Sequence, residues 1–130
     1  MYINEFDDAK KEYILRDMYP SRPWMNYSWN SEYVSSFDQF GFGMSRFCDG
    51  NGYKKNILAE GDNRLIFIKD LDTKEYYAAN RNYGDEAFHA FETRVGMGYS
   101  LIRSVYKDIE FVFSLFVPRL GQCECWEVTM

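Results

Sequence analysis

The sequence predicts an all-β domain, mainly antiparallel, with little helix. Short strand-like runs alternate with turn signals, which is the pattern of an antiparallel β domain. Aromatic residues make up 19% of the 130 residues, and aromatic side chains favour strands. No apolar stripe with a helical period is longer than two turns, although Glu5 to Tyr13 and Asp85 to Phe91 could each form a short helix. We therefore expect strand to exceed helix several-fold.

Eight segments have strand-like composition, and the run from Ile109 to Val117 shows the pattern most clearly. Alternate positions put apolar side chains on one face, and Val112 and Phe116 add apolar groups to the other. Residues expected in the core include Phe67, Phe111, Phe113, Leu115 and Val128. The predicted strands are Tyr13 to Arg16, Tyr33 to Phe40, Phe42 to Phe47, Arg64 to Asp70, Glu75 to Ala79, Phe91 to Tyr106 with a break at its glycines, Ile109 to Val117 and Cys123 to Met130.

Short turn-forming segments separate several of these strands. Asp49 to Gly52, Asp70 to Lys74 and Lys107-Asp108 are each short enough to close a hairpin, so neighbouring strands should pair antiparallel. A Gly-x-Gly-x-Ser pattern occurs twice, at Gly41 to Ser45 and at Gly96 to Ser100. It predicts a bulge or a close approach of another backbone rather than a ligand contact. A third glycine and a following helix, which a nucleotide site needs, are missing.

Length and charge exclude several classes of function. A chain of 130 residues fits one domain. Its net charge is -5, and its basic residues are scattered rather than gathered in a stripe, so we expect no nucleic-acid partner. No apolar run is long enough to span a bilayer, and the acidic start does not resemble a signal peptide. We expect no membrane partner and a cytoplasmic location.

The residues that catalysis or metal binding would need are sparse. Cys48, Cys123 and Cys125 are an odd set with one histidine, His89, so we expect reduced structural thiols and no metal site. No serine lies in a nucleophile motif. Acidic pairs such as Asp70 and Asp72 fall in predicted turns, where solvated faces are expected rather than the two opposed carboxylates of a glycosidase. We expect no catalytic residue in this chain.

Two polar-aromatic clusters are candidate carbohydrate sites. The first, Pro23 to Asn30, contains Trp24, Asn26, Tyr27 and Trp29; aromatic rings pack on the C–H face of a pyranose and amides bind its hydroxyls. The alternative is that these rings are buried core residues that close one end of the β-sandwich. The second, Tyr76 to Tyr83, ends a strand and enters a loop. Its candidate binding residues are Asn80, Arg81 and Asn82, and the alternative is a capped loop.

The chain resembles the start of the cellobiose phosphorylase-like family, which is glycoside hydrolase family 94, formerly glycosyltransferase family 36. The resemblance begins at Phe6 to Ala9, Glu12-Tyr13 and Pro23 to Tyr27 and covers nearly the whole chain in the family's order. The segments that continue it are Gly41 to Ser45, Arg64 to Asp70 with its hairpin, Gly96 to Ser100, Phe116 to Pro118 and Glu124 to Val128.

The resemblance implies a partial β-sandwich, supersandwich-like, forming the front of an incomplete N-terminal domain over residues 1 to 130. It implies that the parent protein performs an inverting phosphorolysis of a β-linked glucoside or oligosaccharide, with inorganic phosphate as co-substrate and no other cofactor. The family's acid and phosphate site lie in an (α/α)6 catalytic domain that these residues lack. We therefore expect this chain to pack on that domain and help shape its active site.

Two other hypotheses remain open at this point. The chain could be a freestanding carbohydrate-binding module that uses Trp24, Tyr27 and Trp29 as a stacking platform. It could also be an oligomerisation element, because an open sheet edge near Ile109 to Val117 and Cys123 to Met130 is suited to pairing with a second copy.

Overall fold

A computed structural model describes residues 4–52, 54–83 and 88–130, and the strands in these ranges form three antiparallel sheets. No helix occurs among the described residues. The strands are β1 Glu5–Asp7, β2 Glu12–Leu15, β3 Asn26–Trp29, β4 Tyr33–Phe37, β5 Ser45–Cys48, β6 Lys54–Leu58, β7 Phe67–Lys69, β8 Tyr76–Ala78, β9 Ala90–Gly96, β10 Tyr99–Tyr106, β11 Ile109–Phe116 and β12 Cys125–Thr129.

The largest sheet has six strands in the order β1-β2-β9-β10-β11-β12. Its longest pairing is the β10–β11 hairpin, which runs from Tyr99 with Phe116 to Tyr106 with Ile109 around the two-residue turn at Lys107 and Asp108. The predicted alternation of β11 is confirmed, because Phe111, Phe113 and Leu115 are buried. The predicted break in the long strand lies at Met97 and Gly98, which form the turn between β9 and β10.

A four-stranded sheet, β3-β4-β5-β6, and the β7–β8 hairpin cover the inner face of the large sheet. One apolar cluster joins the three sheets. Its members are Phe37, Ala79, Ile102, Phe111, Phe113 and Leu115.

The predicted hairpins at Asp49 to Gly52 and Asp70 to Lys74 are confirmed. The Asp70 carboxylate accepts the Thr73 and Asp72 amide protons, and these hydrogen bonds lower its pKa.

The first Gly-x-Gly-x-Ser segment is a close approach of backbones, as predicted. At Gly43, where φ is +149°, a Cβ would lie 2.3 Å from the Ser36 carbonyl oxygen. The second segment is a hairpin turn instead, since Gly98 adopts φ of +88° beside open space. Sequence similarity between the two segments therefore does not reflect similar local structure.

Two of the five residues predicted to be buried are exposed. Phe67 is 57% exposed, because Ile66 and Ile68 on either side of it pack against the core and turn its ring outward. Val128 is 42% exposed although it pairs with the buried Phe113 and so lies on the core side of the sheet. Strand β12 is the edge of that sheet, and no described residue covers this part of its inner face fully.

The helix proposed for Glu5 to Tyr13 is wrong, because this segment forms the β1–β2 hairpin, and the Asp7 carboxylate accepts the amide protons of its turn at Ala9 and Lys10. In the segment Asp85 to Phe91, residues 85–87 lie outside the described part, and Ala90 and Phe91 begin a strand. Strands β1, β3 and β6 were not predicted. All three have mostly exposed or polar positions that give no clear apolar alternation.

Cys48, Cys123 and Cys125 are free thiols, as expected, and only Cys125 of the Cys-x-Cys pair lies in a strand. Among the described residues no group of three or more His, Cys, Asp or Glu side chains is arranged to hold a metal ion. His89 is an exposed residue just before β9. None of these described residues belongs to a helix long and apolar enough to cross a membrane.

Candidate functional site

Strand β3 presents an aromatic face to solvent. Its side chains alternate, so Ser28 is buried while Tyr27 and Trp29 project outward. The Ser28 hydroxyl donates to the Gly98 carbonyl at 2.7 Å and accepts the Val117 amide proton at 2.8 Å. These bonds fix β3 against the large sheet and hold both rings in position.

Tyr27 and Trp29 line a groove of about 480 Å³ together with Asn26 and the β9–β10 turn at Gly96 to Gly98. We call this the β3 groove. Met97, at the tip of that turn, is almost fully exposed. The Asn26 amide nitrogen donates to the Tyr99 carbonyl at 2.8 Å and the Ser100 hydroxyl at 3.1 Å, so it serves to join β3 to the turn. The groove thus offers aromatic surface with few free polar groups.

Trp24 does not line the β3 groove. Its ring packs on Tyr13 with centroids 4.8 Å apart and an interplanar angle of 31°. Its backbone amide donates to the Gln39 side chain at 3.3 Å. The structure therefore brings Asn26, Tyr27 and Trp29 together and places Trp24 in a separate half-exposed contact.

A larger groove of about 540 Å³ lies beside the β7–β8 hairpin, and most of its lining is aromatic. We call it the hairpin groove. Phe67, Tyr76 and Tyr83 are its exposed rings. Tyr77 packs on Tyr106 with centroids 4.3 Å apart, and its hydroxyl is buried with no hydrogen-bond partner among the described residues. Burial, aided by Tyr106, raises the Tyr77 pKa.

Asn80 is placed in the interior, with no accessible surface. Its amide nitrogen donates to the Phe40 carbonyl at 2.7 Å and the Arg64 carbonyl at 3.0 Å, and its oxygen accepts the Ile66 amide proton at 3.2 Å. The Asn80 side chain therefore satisfies backbone groups of Phe40, Arg64 and Ile66 just beyond the end of β8. It presents no amide to a ligand, because all of its bonding capacity here is directed to the backbone.

Arg81 and Asn82 do line the hairpin groove. The Arg81 guanidinium lies over the Tyr83 ring at 4.7 Å and pairs with Asp62 at 2.5 Å. The Asn82 carbonyl accepts the Tyr19 hydroxyl proton at 3.1 Å. Of the second predicted cluster, the structure thus brings these two residues to a groove and withdraws Asn80 from it.

Comparison with known protein families decides the classification. The model of the glycosyl hydrolase 94 supersandwich domain matches residues 11–130. The chain belongs to this family. Its supersandwich domain accounts for nearly all of the sequence, and the predicted resemblance is confirmed.

Relatives of this supersandwich domain are phosphorylases by name. The chain is 25% identical over 98% of its length to solabiose phosphorylase of Paenibacillus borealis. It is 31% identical over 96% of its length to 3-O-beta-D-glucopyranosyl-beta-D-glucuronide phosphorylase of the same organism, and 24% identical over 98% to N,N'-diacetylchitobiose phosphorylase of Vibrio furnissii. The matches cover 18%, 16% and 17% of those proteins, so the chain spans about a sixth of their length.

Three carboxylates that line a cavity or have a raised pKa, Asp38, Asp70 and Glu75, are engaged in structure. Asp70 and Glu75 line one small cavity, but Asp70 accepts turn amides and Glu75 pairs with Lys107 at 2.5 Å. Burial raises the pKa of Asp38, as a general acid would require. Its oxygen, however, accepts the Phe40 and Phe42 amide protons inside a turn. Among the residues that the structure describes, no carboxylate lines the β3 groove or the hairpin groove, so neither presents the two opposed carboxylates of a glycosidase.

Sequence reasoning missed several residues of the two grooves. Phe67 was expected in the core, and the contributions of Met97 and Tyr106 were not recognised. The available signal for Phe67 was the alternation of the strand, since Ile66 and Ile68 on either side of it pack on the core and leave its ring on the opposite face. The turn at Met97 is brought to β3 by long-range contacts that the sequence does not show.

Proposed function

We propose that this chain is a non-catalytic β domain of a glycoside phosphorylase and that it packs on a separate catalytic domain. The family match over residues 11–130, with relatives named as phosphorylases, is the observation that carries this proposal. The parent protein would transfer a hexosyl group from a β-linked glucoside to inorganic phosphate. The chain itself contributes surface to that protein and supplies no acid or nucleophile.

Strand β12 supports the packing part of the proposal. Trp126 and Val128 lie on the core side of the large sheet yet remain about half exposed. Trp126 makes an edge contact with Phe113, and its indole nitrogen donates to Glu124 at 2.8 Å, so the ring is held in place. An ordered apolar strip of this kind is typical of a surface that a further layer covers. The catalytic domain is the partner we propose for it.

Phosphorolysis by the isolated chain tests the non-catalytic assignment. Purified protein is incubated with inorganic phosphate and a panel of β-linked disaccharides, including cellobiose, and sugar phosphate is measured. We expect no product above the level without protein. Sugar phosphate formation that stays proportional to the chain after repeated purification would contradict the proposal.

A second candidate function is binding of a neutral β-linked oligosaccharide in the β3 groove. The exposed rings of Tyr27 and Trp29 favour it, because stacking on a pyranose requires accessible aromatic faces. Binding of cello-oligosaccharides, measured by calorimetry, should be lost in Tyr27→Ala and Trp29→Ala. The matched control is Tyr76→Ala, an exposed ring of the hairpin groove, which should bind as the parent chain does.

Trp24→Ala separates binding from structure. Because Trp24 packs on Tyr13 outside the groove, we expect it to reduce stability and leave oligosaccharide affinity unchanged. The loss should be smaller than the 3–5 kcal/mol or so of a fully buried tryptophan, because the ring is half exposed. Loss of binding in Trp24→Ala with unchanged stability would argue against the β3 groove.

A second copy of the chain is another candidate partner, because one edge of β12 is unpaired in the described sheet. The backbone groups of β12 pair with β11 on one side only. Sedimentation at several concentrations measures this directly. A monomer at all concentrations would leave the catalytic domain as the proposed partner, and a concentration-dependent dimer would assign the edge to a second copy.

A further inference from the structure

A row of four side chains crosses the outer face of the four-stranded sheet. Trp29 pairs with Val34, Val34 with Arg46, and Arg46 with Asn56, so their side chains lie on one face. Trp29 and Arg46 are two strands apart, which places their Cα atoms about 10 Å from each other. Two long side chains at that separation can contact one small molecule between them.

A groove of about 260 Å³ follows this row and is distinct from the β3 groove on the other side of Trp29. We call it the Arg46 groove. Its lining includes Trp29, Val34 and Arg46, with Lys54 as a second cation and Glu32 as the one carboxylate. Its volume is close to the lower end of small-ligand sites, which begin at about 300 Å³, and suits a single sugar unit.

Arg46 has no anionic partner in the described part of the chain. Its Nε is buried and makes no hydrogen bond there, and its guanidinium makes no ion pair with any described carboxylate. Every other arginine that is at least partly buried has a carboxylate partner. These are Arg16, Arg64, Arg81, Arg94 and Arg103.

This difference points to a ligand. A partly desolvated guanidinium is costly unless an anion or other acceptor compensates it, and the groove provides one negative charge against two positive charges. Its planar fork matches the two oxygens of a carboxylate or a phosphate. The indole of Trp29, 69% exposed, offers a flat face at the other end of the same groove.

We propose that the Arg46 groove binds an anionic pyranose, with the sugar ring on Trp29 and its carboxylate or phosphate on Arg46. The site goes beyond the function proposed above, because it requires a negative charge on the sugar and involves neither Tyr27 nor catalysis. It shares Trp29 with the β3 groove, so the two are separated by variants of Arg46 and Tyr27. Lys54 adds long-range attraction for the same charge.

Calorimetric titration of the chain with glucuronate, glucose 1-phosphate, glucose and inorganic phosphate tests the proposal. We expect one or both charged sugars to bind at least tenfold more tightly than glucose, and more weakly as salt is added. Tighter binding of glucuronate would show that the site prefers a carboxylate, and tighter binding of glucose 1-phosphate would show that it prefers a phosphate. Equal affinity for glucose would overturn the proposal, and inorganic phosphate binding as tightly as the sugar phosphate would overturn its sugar component.

Three variants assign the contacts. Arg46→Met keeps the length of the side chain and should lose at least tenfold in affinity for the charged sugar. The control Arg103→Met, on the outer face of the large sheet between the buried Ile102 and Ser104, should not. Arg46→Lys keeps the charge without the fork and should fall between them. Unchanged affinity in folded Arg46→Met or Arg46→Lys protein would contradict the site.

The same titrations distinguish failure of this site from failure of the β3 groove. Tyr27→Ala should abolish neutral oligosaccharide binding and leave the charged sugar bound, because Tyr27 lines only the β3 groove. Arg46→Met should do the reverse. If neutral binding responds to Tyr27 and no charged sugar binds, the inference fails while the β3 groove stands.

Discussion

Arg64 and Glu124 form a buried, bidentate ion pair, with Nε 2.7 Å from Oε1 and Nη2 2.9 Å from Oε2. The arginine side chain has no exposed surface and that of the glutamate only 7%. Arg64 also donates to the Gly41 carbonyl at 3.0 Å and lies over the Phe37 ring. The pair therefore fastens the segment before β12 to the four-stranded sheet.

Removing one partner of this pair should be strongly destabilising. Glu124→Gln leaves the Arg64 charge buried, so we expect a loss of about 3–5 kcal/mol in the free energy of unfolding, measured with urea. Glu110→Gln is the matched control. Its pair with Arg103 is much more exposed, and the loss should be at most about 1 kcal/mol. Similar small losses in both variants would show that the buried pair does not hold β12.

The same pair makes stability depend on pH. Burial raises the pKa of Glu124, but hydrogen bonds from Arg64 and Ser35 outweigh it, and the pKa lies below its ordinary value. A carboxyl whose pKa is lower in the folded state stabilises the fold above the unfolded-state pKa. That contribution should be lost as pH falls through the folded-state pKa. Urea unfolding from pH 7 downward should show this decline, and Glu124→Gln should reduce it.

The Tyr99 hydroxyl should lose its proton at a higher pH than an ordinary tyrosine. Its hydroxyl donates to the Glu12 carboxylate at 2.5 Å, and this hydrogen bond, together with partial burial and the negative charge of Glu12, raises the pKa to about 12. Glu12→Gln should bring it back towards 10, the ordinary value. Ultraviolet difference titration of the two proteins, with Tyr99→Phe to identify the signal, measures the shift. Because burial also raises the pKa of Tyr77, some late titration should remain in Tyr99→Phe, and an undiminished late component in that variant would contradict the assignment.

Gly43 should not tolerate a side chain. An added Cβ would lie 2.3 Å from the Ser36 carbonyl oxygen, and φ of +149° is unfavourable for other residues. We expect Gly43→Ala to cost about 1–3 kcal/mol, since backbone must move to relieve the contact. At Gly50 an added Cβ meets nothing within 4 Å, so Gly50→Ala should change stability by less than about 0.5 kcal/mol. Thermal or urea unfolding of both variants provides the comparison.

Much of the fold could be predicted from the sequence because several strands alternate clearly. The run from Ile109 to Val117 and the turn at Asp70 to Lys74 carry their own local signals, and both were placed correctly. Strand β6 was missed because Lys54 to Leu58 is mostly polar and exposed. Without β6 and its register, the row from Trp29 through Arg46 to Asn56 could not be found.

The candidate sites were less predictable, since burial depends on distant segments. Asn80 has the same chemistry as an exposed sugar-binding amide, and only its contacts with Phe40 and Arg64 reveal an interior role. Trp24 and Trp29 are five residues apart, yet one packs on Tyr13 and the other borders two grooves. Sequence composition identifies such residues but does not assign their surroundings.

We propose that this domain is part of a phosphorylase and does not itself perform the phosphorolysis. Phosphorus NMR of the purified chain, with glucose 1-phosphate and a set of sugar acceptors, measures the reverse reaction directly through the inorganic phosphate released. A full-length family phosphorylase with its own sugar phosphate and acceptor serves as the positive control. The account predicts no phosphate release by the chain over the level of a blank without protein. Release proportional to the concentration of the chain, and retained after further purification, would contradict it.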